Sequence, residues 1–197
     1  GLVGRDGETH QGIYDEAYLS SIPNTVVTMP SNIDEAMLLY DESFNNHGPF
    51  FIRLSRSFIQ KQESFNRVKC EFGKWQYVLK DSKDLVVIAV GPALRVLENQ
   101  IKVNKVKCTL INALYVNPID KTTLDEVLNA KKIVIYDPYS TRGGLVEHVM
   151  AYLLEQGYKG SIKAYCVPNE FVKQGSIEEQ LARYKIAVED VLKELTK

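Results

Sequence analysis

Apolar and polar positions in the first 56 residues follow patterns that predict helices and strands in turn. Residues 25–29 and 50–54 are short apolar runs rich in β-branched and aromatic residues, which predicts two strands. Residues 11–22 and the segment that begins at Ser31 place apolar residues at helical spacing, and Ser31 suits an N-cap position. The order helix, strand, helix, strand predicts an α/β layer.

A second and longer α/β pattern covers residues 85–197. Its apolar runs are continuous rather than alternating, as in the strands of parallel sheets that are buried on both faces. Helical patterns separate these runs, so the spacing predicts a doubly wound, mostly parallel sheet. The predicted strands are 85–90, 107–112, 133–136 and 162–166, and the predicted helices follow Gly91-Pro92, Asp120, Gly143-Gly144 and Ser176, with a final one over 188–195.

Residues 57–84 differ from both patterns, because they are polar and basic with scattered aromatic residues. We interpret them as a linker that packs on its neighbours and joins a domain at 1–56 to a domain at 85–197. Charged and aromatic residues also mix in RNA-binding segments, but a linker on a domain surface is favoured. Since residues 1–56 supply only two strands, we expect one edge of their sheet to be unpaired.

Composition narrows the class of protein. An apolar fraction of 45% and a net charge of −1 are ordinary for a globular protein and favour neither nucleic acid nor membrane. No apolar run approaches the ~20 residues that span a bilayer. Cys70, Cys108 and Cys166 form neither a C-x-x-C motif nor a disulfide framework, which predicts small core residues in a reducing cytoplasm.

The chain begins with Gly1 rather than Met and leads directly into a predicted loop. We therefore expect the sequence to be the C-terminal part of a longer protein.

The densest candidate chemistry lies between Gly4 and Gly12. Asp6 and His10 are four residues apart on a loop that leads into a helix. Histidine can change its charge near neutral pH, and a carboxylate can fix its tautomer. On residue types alone, a structural or exposed pair is more common than a catalytic one.

Two arginines and one glycine pair are further candidates. Arg56 follows a predicted strand, where it could close an ion pair or bind a phosphate in bidentate geometry. Arg53 lies within the strand and is interpreted as structural. Thr141 to Gly144 precede a helix but lack the lysine and the spacing of known phosphate loops. His47 and His148 have no partner at metal-ligand spacing and receive no role.

Four segments carry a family resemblance: DGETHQGIYD at 6–15, IPNTVVTMPS at 22–31, GPFFIRLSRS at 48–57 and PNEFVKQGS at 168–176. They resemble the 1-deoxy-D-xylulose-5-phosphate synthases, a family of thiamine-diphosphate enzymes in the transketolase superfamily. The resemblance runs along nearly the whole chain and is loosest in the linker. The sequence departs from the family at Leu54-Ser55 and Ser57, and at 137–140, where the family is rich in glutamate.

The resemblance implies an α/β protein with the second half of a transketolase pyrimidine-binding domain at 1–56 and a transketolase C-terminal domain at 85–197. It implies an enzyme that condenses pyruvate with glyceraldehyde 3-phosphate, with loss of CO2, in the synthesis of isoprenoid, thiamine and pyridoxal precursors. It also implies a homodimer that uses thiamine diphosphate and Mg²⁺. The residues that hold this cofactor and metal are expected mainly outside the chain.

The same resemblance implies roles for three residues. His10 would transfer a proton or bind the reacting oxygens, Asp6 would orient His10 or bind an acceptor hydroxyl, and Arg56 would bind the acceptor phosphate. In this family the Gly143-Gly144 pair lets a helix pack closely on the sheet.

Two alternatives stay open. One is another enzyme of the superfamily, a transketolase or the β subunit of a 2-oxo acid dehydrogenase, although Gly12 and the Arg56 motif argue against both. The other is a noncatalytic dimerisation module, because residues 85–197 carry no convincing catalytic group. We expect the chain alone to bind thiamine diphosphate poorly and to be inactive.

Overall fold

The computed structural model describes residues 1–46, 48–56 and 71–197. The predictions that concern His47, Ser57, Cys70 and most of the linker lie outside these residues. Within them, the helices are α1 (Asp15–Ser20), α2 (Ile33–Ser43), α3 (Ala93–Val103), α4 (Lys121–Glu126), α5 (Leu145–Glu155), α6 (Ile177–Tyr184) and α7 (Val188–Leu195). The strands are β1 (Val26–Thr28), β2 (Phe50–Ile52), β3 (Gln76–Lys80), β4 (Leu85–Ala89), β5 (Thr109–Asn112), β6 (Tyr115–Asn117), β7 (Lys132–Asp137) and β8 (Ser161–Cys166).

The larger sheet has five strands in the order β3-β5-β4-β7-β8. Strands β5, β4, β7 and β8 are parallel, and only β3 is antiparallel to its neighbour. Ile88, Ile111 and Ile135 are fully buried between the helices on the two faces. The predicted doubly wound, mostly parallel sheet is confirmed, because continuous apolar runs are stable only when both faces are covered.

Strand β3 falls inside the segment that the sequence pattern assigned to the linker. It pairs with β5, with Tyr77 opposite Ile111. Just before it, the buried Trp75 donates its indole N–H to the carbonyl oxygen of Tyr115 at 2.8 Å. Residues 75–80 therefore belong to the larger sheet and do more than connect two domains. The first and last residues of this edge strand, Gln76 and Lys80, are polar, so the sequence pattern does not identify it as a strand.

The smaller sheet joins the two parts of the chain. Strands β1 and β2 are parallel, with Val26 opposite Phe50. On its other side, β1 pairs with β6 in antiparallel register. In the part of the chain that the structure describes, β2 is an outer strand of this sheet, where the sequence predicts an unpaired edge. The edge of β1 is covered by β6, a strand that the sequence pattern did not predict.

Helix ends follow local hydrogen bonding. Asn32, not Ser31, is the N-cap of α2, since its side chain accepts the backbone N–H of Glu35 at 2.8 Å. The N–H of Ser31 instead donates to the Glu35 carboxylate at 2.7 Å, so Ser31 lies one position before the helix. The capping box predicted at Ser176 is confirmed, with both of its reciprocal bonds to Glu179.

The cysteines and the lengths of the helices can be compared with what the composition predicts. Cys108 is buried and Cys166 is half-buried, and neither forms a disulfide, as predicted for small core residues. Of the helices in the described ranges, none combines the length and the apolar character that a bilayer span requires.

The first part of the chain packs on the carboxyl ends of β4 and β7. Gly91, directly after β4, has a φ of 65°, and a Cβ there would lie 3.0 Å from the Met29 side chain. The carbonyl oxygen of Tyr139, just after β7, accepts a hydrogen bond from Arg53 at 3.1 Å. Strand order reverses at β4, and such a crevice usually binds a ligand in open α/β sheets. Here the first part of the chain covers it.

Candidate functional site

The loop that carries Asp6 and His10 is shaped by glycines. Gly4 and Gly7 have φ angles of 74° and 79°, in the left-handed region that side chains other than glycine rarely adopt. A short 3-10 turn, Glu8–His10, follows, and the N–H of His10 donates to the carbonyl oxygen of Gly7 at 3.3 Å. The two glycines therefore fold the segment back on itself and present Asp6 and His10 on its outer side.

Gln11 holds this loop from the inside. Its side chain is buried, accepts the N–H of Val3 at 2.9 Å and donates to the carbonyl oxygen of Gly7 at 3.0 Å. A longer bond of 3.4 Å reaches the carbonyl oxygen of Gly4. The sequence pattern did not single out Gln11, since a glutamine in a polar loop gives no signal until its neighbours are known.

The structure brings Asp6 and Arg56 together although they are 50 residues apart. An NH of the Arg56 guanidinium forms an ion pair with the Asp6 carboxylate, and both side chains are exposed. The same nitrogen lies 3.5 Å from the carbonyl oxygen of Val3. Exposed ion pairs contribute little stability, about 0–1 kcal/mol. An incoming anion could therefore replace Asp6 at Arg56 with little loss of stability.

His10 lies on the same loop, also exposed. Its Nδ1 is 3.0 Å from the hydroxyl of Thr9, which is its described side-chain contact. The expected orientation of His10 by Asp6 is not what the described bonds show, because the Asp6 carboxylate faces Arg56 instead. In the described bonds Asp6 is thus the partner of Arg56 and not of His10.

Arg53 lies at the centre of a buried ionic cluster. It donates to both oxygens of Asp15, at 2.8 and 2.9 Å, and forms an ion pair with the Glu16 carboxylate. It also donates to the carbonyl oxygens of Gly12 and Tyr139, at 3.2 and 3.1 Å. These bonds join β2 and α1 to the loop after β7. The contacts agree with a structural role for Arg53, which carries the docking of one part of the chain on the other.

The protonation of the cluster follows from its charges. Burial would raise the pKa of Asp15, but the hydrogen bond and charge of Arg53 outweigh it and lower that pKa below its ordinary value. Asp137 is fully buried beside Glu16, and this burial, together with the Glu16 charge, raises the pKa of Asp137 well above its ordinary value. This shift favours the neutral form of Asp137, because that form avoids two buried negative charges side by side.

Glu16 also explains the glycine pair before α5. Its second carboxylate oxygen accepts the N–H of Leu145 at 3.2 Å and so caps a helix of the larger sheet. A Cβ at Gly144 would collide with this carboxylate, and a Cβ at Gly143 would lie 2.8 Å from the Cβ of Ala17. The sequence predicts that these glycines let a helix pack closely on the sheet. The structure shows close approaches to α1, which packs across the start of α5, and from Gly144 also to Ser140 in the loop after β7.

A cavity of about 870 Å³ lies elsewhere, between the first part of the chain and helices α3, α6 and α7. Asp6, His10 and Arg56 do not line it. Its two basic residues are already paired: Arg95 contacts Glu35 and Glu98, and Lys102 contacts Glu98. We therefore place the candidate site at the Asp6–Arg56 pair, where the family motifs meet, and not at the larger volume.

The resemblance also implies Mg²⁺, which would need a group of ligands in the protein. Across residues 1–46, 48–56 and 71–197, no three His, Cys, Asp or Glu side chains are grouped as a metal site requires. The donors that these residues offer at the candidate site are a guanidinium, a carboxylate and an imidazole. Of these, a guanidinium can bind a phosphate or a carboxylate in bidentate geometry.

Comparison with protein families gives two matches that together cover most of the chain. Residues 73–191 match the family described as "Transketolase, C-terminal domain". Residues 1–61 match the family described as "Transketolase, pyrimidine binding domain".

Two similar proteins are both 1-deoxy-D-xylulose-5-phosphate synthases. One, from Clostridium acetobutylicum, is 30% identical over 99% of this chain and 32% of its own length. The other, from Listeria monocytogenes, is 32% identical over 98% of this chain and 32% of its own length. The chain thus spans about a third of the length of the curated relatives it matches.

Solved structures share the fold. A split-gene transketolase, described as an inactive beta4 tetramer, aligns with a TM-score of 0.80 and 23% identity over 96% of this chain and 62% of its own. Transketolase from Campylobacter jejuni aligns with a TM-score of 0.71 and 15% identity over 99% of this chain and 30% of its own. At these identities the alignments establish the fold.

Proposed function

This chain belongs to the transketolase family, and we propose that it supplies the C-terminal third of a 1-deoxy-D-xylulose-5-phosphate synthase. The observation that carries the proposal is the meeting of Asp6 and Arg56, from two separate family motifs, at one exposed site. Relatives that bear this name match nearly the whole chain. The assembled enzyme would condense pyruvate with glyceraldehyde 3-phosphate, with loss of CO2, for isoprenoid, thiamine and pyridoxal precursors.

In this proposal Arg56 binds the phosphate of glyceraldehyde 3-phosphate. Its guanidinium already holds an anion, the Asp6 carboxylate, at the same place. When the phosphate arrives, Asp6 is released and can accept a hydrogen bond from a hydroxyl of the acceptor. His10, four residues further along the loop, is placed to hold or move a proton at the reacting oxygens.

Thiamine diphosphate supplies the decarboxylation and the carbon nucleophile when it is bound. We propose that its Mg²⁺ and diphosphate are held by the other two thirds of the enzyme, because the described donors here fit the acceptor substrate. The chain alone is then expected to be inactive. Tight binding of thiamine diphosphate to this chain in calorimetry would contradict that expectation.

Reconstitution tests the proposal directly. The chain would be produced together with a polypeptide that corresponds to the first two thirds of the Clostridium acetobutylicum relative. We expect the mixture, and neither part alone, to release CO2 from pyruvate when glyceraldehyde 3-phosphate is present. Activity with a ketose donor instead of pyruvate would identify a transketolase, and activity with a 2-oxo acid alone would indicate a dehydrogenase β subunit.

A variant of Arg56 tests the acceptor site. Arg56→Met removes the guanidinium, so the KM for glyceraldehyde 3-phosphate should rise by at least about tenfold, as for loss of a charge-assisted hydrogen bond of about 1.5–3 kcal/mol. The KM for pyruvate should not change. Arg183→Met, an exposed arginine on α6, is the matched control and should leave both constants unchanged.

A second candidate function is a noncatalytic assembly module. Three apolar residues of α2, Ile33, Met37 and Tyr40, and its C-cap Phe44 recur every three or four positions and are exposed. The split-gene transketolase of similar fold is described as an inactive tetramer, which makes self-association a reasonable candidate here too. Sedimentation of the 197-residue chain would test it, and a monomer at high concentration would contradict this module.

We also propose that the assembled enzyme is a homodimer. Bacterial relatives support a cytoplasmic location.

A further inference from the structure

The segment between β8 and α6 has a motif that the proposed roles leave unexplained, PNEFVKQGS at 168–176. In the structure this segment and α6 lie against the loop that carries Asp6. A Cβ placed on Gly4 would be 3.5 Å from the carbonyl oxygen of Gly175 and 3.5 Å from the Ile177 side chain. The hydroxyl of Tyr14 also points to this segment, 3.4 Å from the carbonyl oxygen of Glu170. The C-terminal part of the chain therefore forms the surface on which the loop rests.

Gln180 makes the direct connection. Its side-chain amide donates to the carbonyl oxygen of Gly4 at 3.1 Å and to that of Lys173 at 3.0 Å. These bonds tie the loop and the motif segment to the same side chain, across 176 residues of sequence in the case of Gly4. Gln180 is only 1% exposed, so water does not compete for its amide.

The choice of residue at this position is informative. Gln180 is the one fully buried residue of α6, a helix that otherwise contacts its neighbours with partly buried side chains. An amphipathic helix ordinarily fills such a position with an apolar residue, because burial of apolar surface stabilises more than a neutral hydrogen bond does. The oxygen of the Gln180 amide has no described partner, which adds a further cost of burial. A buried glutamine here is better explained by the orientation that it imposes than by stability.

The orientation concerns the turn two residues before Asp6. Gly4 has a left-handed φ, and its carbonyl oxygen also accepts the longer bond from Gln11, so this peptide is fixed from two sides. The support is itself rigid, since α6 has a complete capping box at its start. The angle at which the loop leaves Gly4 decides whether the Asp6 carboxylate reaches Arg56.

We propose that Gln180 is a positioning residue for the candidate site: it fixes Gly4 and thereby sets Asp6 against Arg56. The proposal rests on the proposed function for its catalytic meaning, although its structural part concerns this chain alone. It assigns to the C-terminal domain a part in the reaction that residues 85–197 would otherwise lack.

Hydrogen exchange of the full 197-residue chain tests the structural part. Gln180→Met keeps the length and volume of the side chain and removes its donors. We expect the amides of Val3 and His10, which the loop's own bonds protect, to exchange about fivefold faster, as for the loss of one net hydrogen bond. Amides of the buried strands β4 and β7 should keep their rates. Gln174→Met, an exposed glutamine in the motif segment, is the matched control and should change neither set.

Two results would overturn the proposal. Unchanged exchange at Val3 and His10 would show that Gln180 does not fix the loop. A uniform increase that includes β4 and β7 would show a general contribution to stability and no specific positioning.

The reconstituted enzyme supplies the catalytic readout. Gln180→Met should raise the KM for glyceraldehyde 3-phosphate about fivefold and leave the KM for pyruvate unchanged. Equal changes for both substrates, or none, would count against positioning. If the unaltered enzyme does not use these substrates at all, the proposed function fails, and the exchange measurement still decides what Gln180 does to the loop.

Discussion

Residues 1–56 and residues 71–197 both form α/β layers, but the two regions bury their apolar side chains to different degrees. The second region has five paired strands with helices on both faces and buries its central strands completely. The first contributes two strands of three residues each, and β6 of the second region pairs with one of them. Eight large apolar side chains are exposed in residues 18–54, against six in the much longer described part from 72 to 171.

The difference shows how the smaller region is held. Buried polar contacts fix it to the larger one: Arg53 with the carbonyl oxygen of Tyr139, Glu16 with the N–H of Leu145, and Glu35 with Arg95. Such contacts specify a position but add little net stability against apolar packing. The exposed α2 stripe and the outer edge of β2 are then the surfaces on which the rest of a longer enzyme is expected to pack.

The largest effect is expected from Arg53→Met. The substitution leaves the Asp15 and Glu16 carboxylates without their cation, and removal of one partner of a buried pair typically costs about 3–5 kcal/mol. Calorimetric unfolding should show a large fall in stability, with loss of protection in β1 and β2 before β4 and β7. Arg183→Met serves as the control. An unchanged melting temperature would mean that apolar contacts alone dock the first region.

Gly144→Ala should have the next largest effect. The added Cβ collides with the Glu16 carboxylate, so α1 must move away from the start of α5, at a cost of about 1–3 kcal/mol. Denaturant unfolding would measure this cost. Ala151→Ser, on the exposed side of α5, gives a comparison in the same helix. If the variant were as stable as the parent protein, α1 and α5 would have to lie further apart than they do in the structure.

Asp137→Asn should change how stability depends on pH. The raised pKa of Asp137 means that its contribution is present at low pH and is lost as pH rises through that pKa, because the carboxyl must ionise beside Glu16. Asparagine stays neutral, so the variant should melt a few degrees higher than the parent at pH 8 and nearly equally at pH 4. The lowered pKa of Asp15 acts in the opposite window, so stability carried by Asp15 is lost as pH falls, in both proteins. If the melting temperatures of the variant and the parent differed by the same amount at every pH, the raised pKa of Asp137 would be contradicted.

The smallest effect on folding is expected from Phe44→Glu on the exposed stripe of α2. A surface substitution of this kind changes stability by no more than about 0.5 kcal/mol. Assembly with the complementary two thirds, or self-association, should weaken strongly, because a charge enters an apolar contact surface. Sedimentation of the mixture measures this, with Glu42→Gln on the same helix as control. Unimpaired assembly would remove α2 from the interface.

Local sequence patterns identify some strands and site residues of this chain and not others. The strands β4, β5, β7 and β8 and the helices after them follow from continuous apolar runs and capping residues, which are local signals. Strands β3 and β6 escaped prediction, since β3 has polar ends, β6 has only three residues, and each is defined by a partner strand. Asp6, His10 and Arg56 were identified from motifs, whereas Gln11, Glu16, Asp137 and Gln180 have no local pattern that distinguishes them from surface residues.

The sequence by itself determined the fold class, the family and the candidate residues, because periodicity, caps and motif spacing are properties of neighbouring residues. Only the tertiary structure decided which groups meet: Asp6 with Arg56, Glu16 with the start of α5, and Gln180 with Gly4. These contacts join positions that lie 50 to 176 residues apart. Hydrogen bonds and ion pairs depend on distances of about 3 Å, and such distances are fixed by the packing of whole elements and not by the order of residues along the chain.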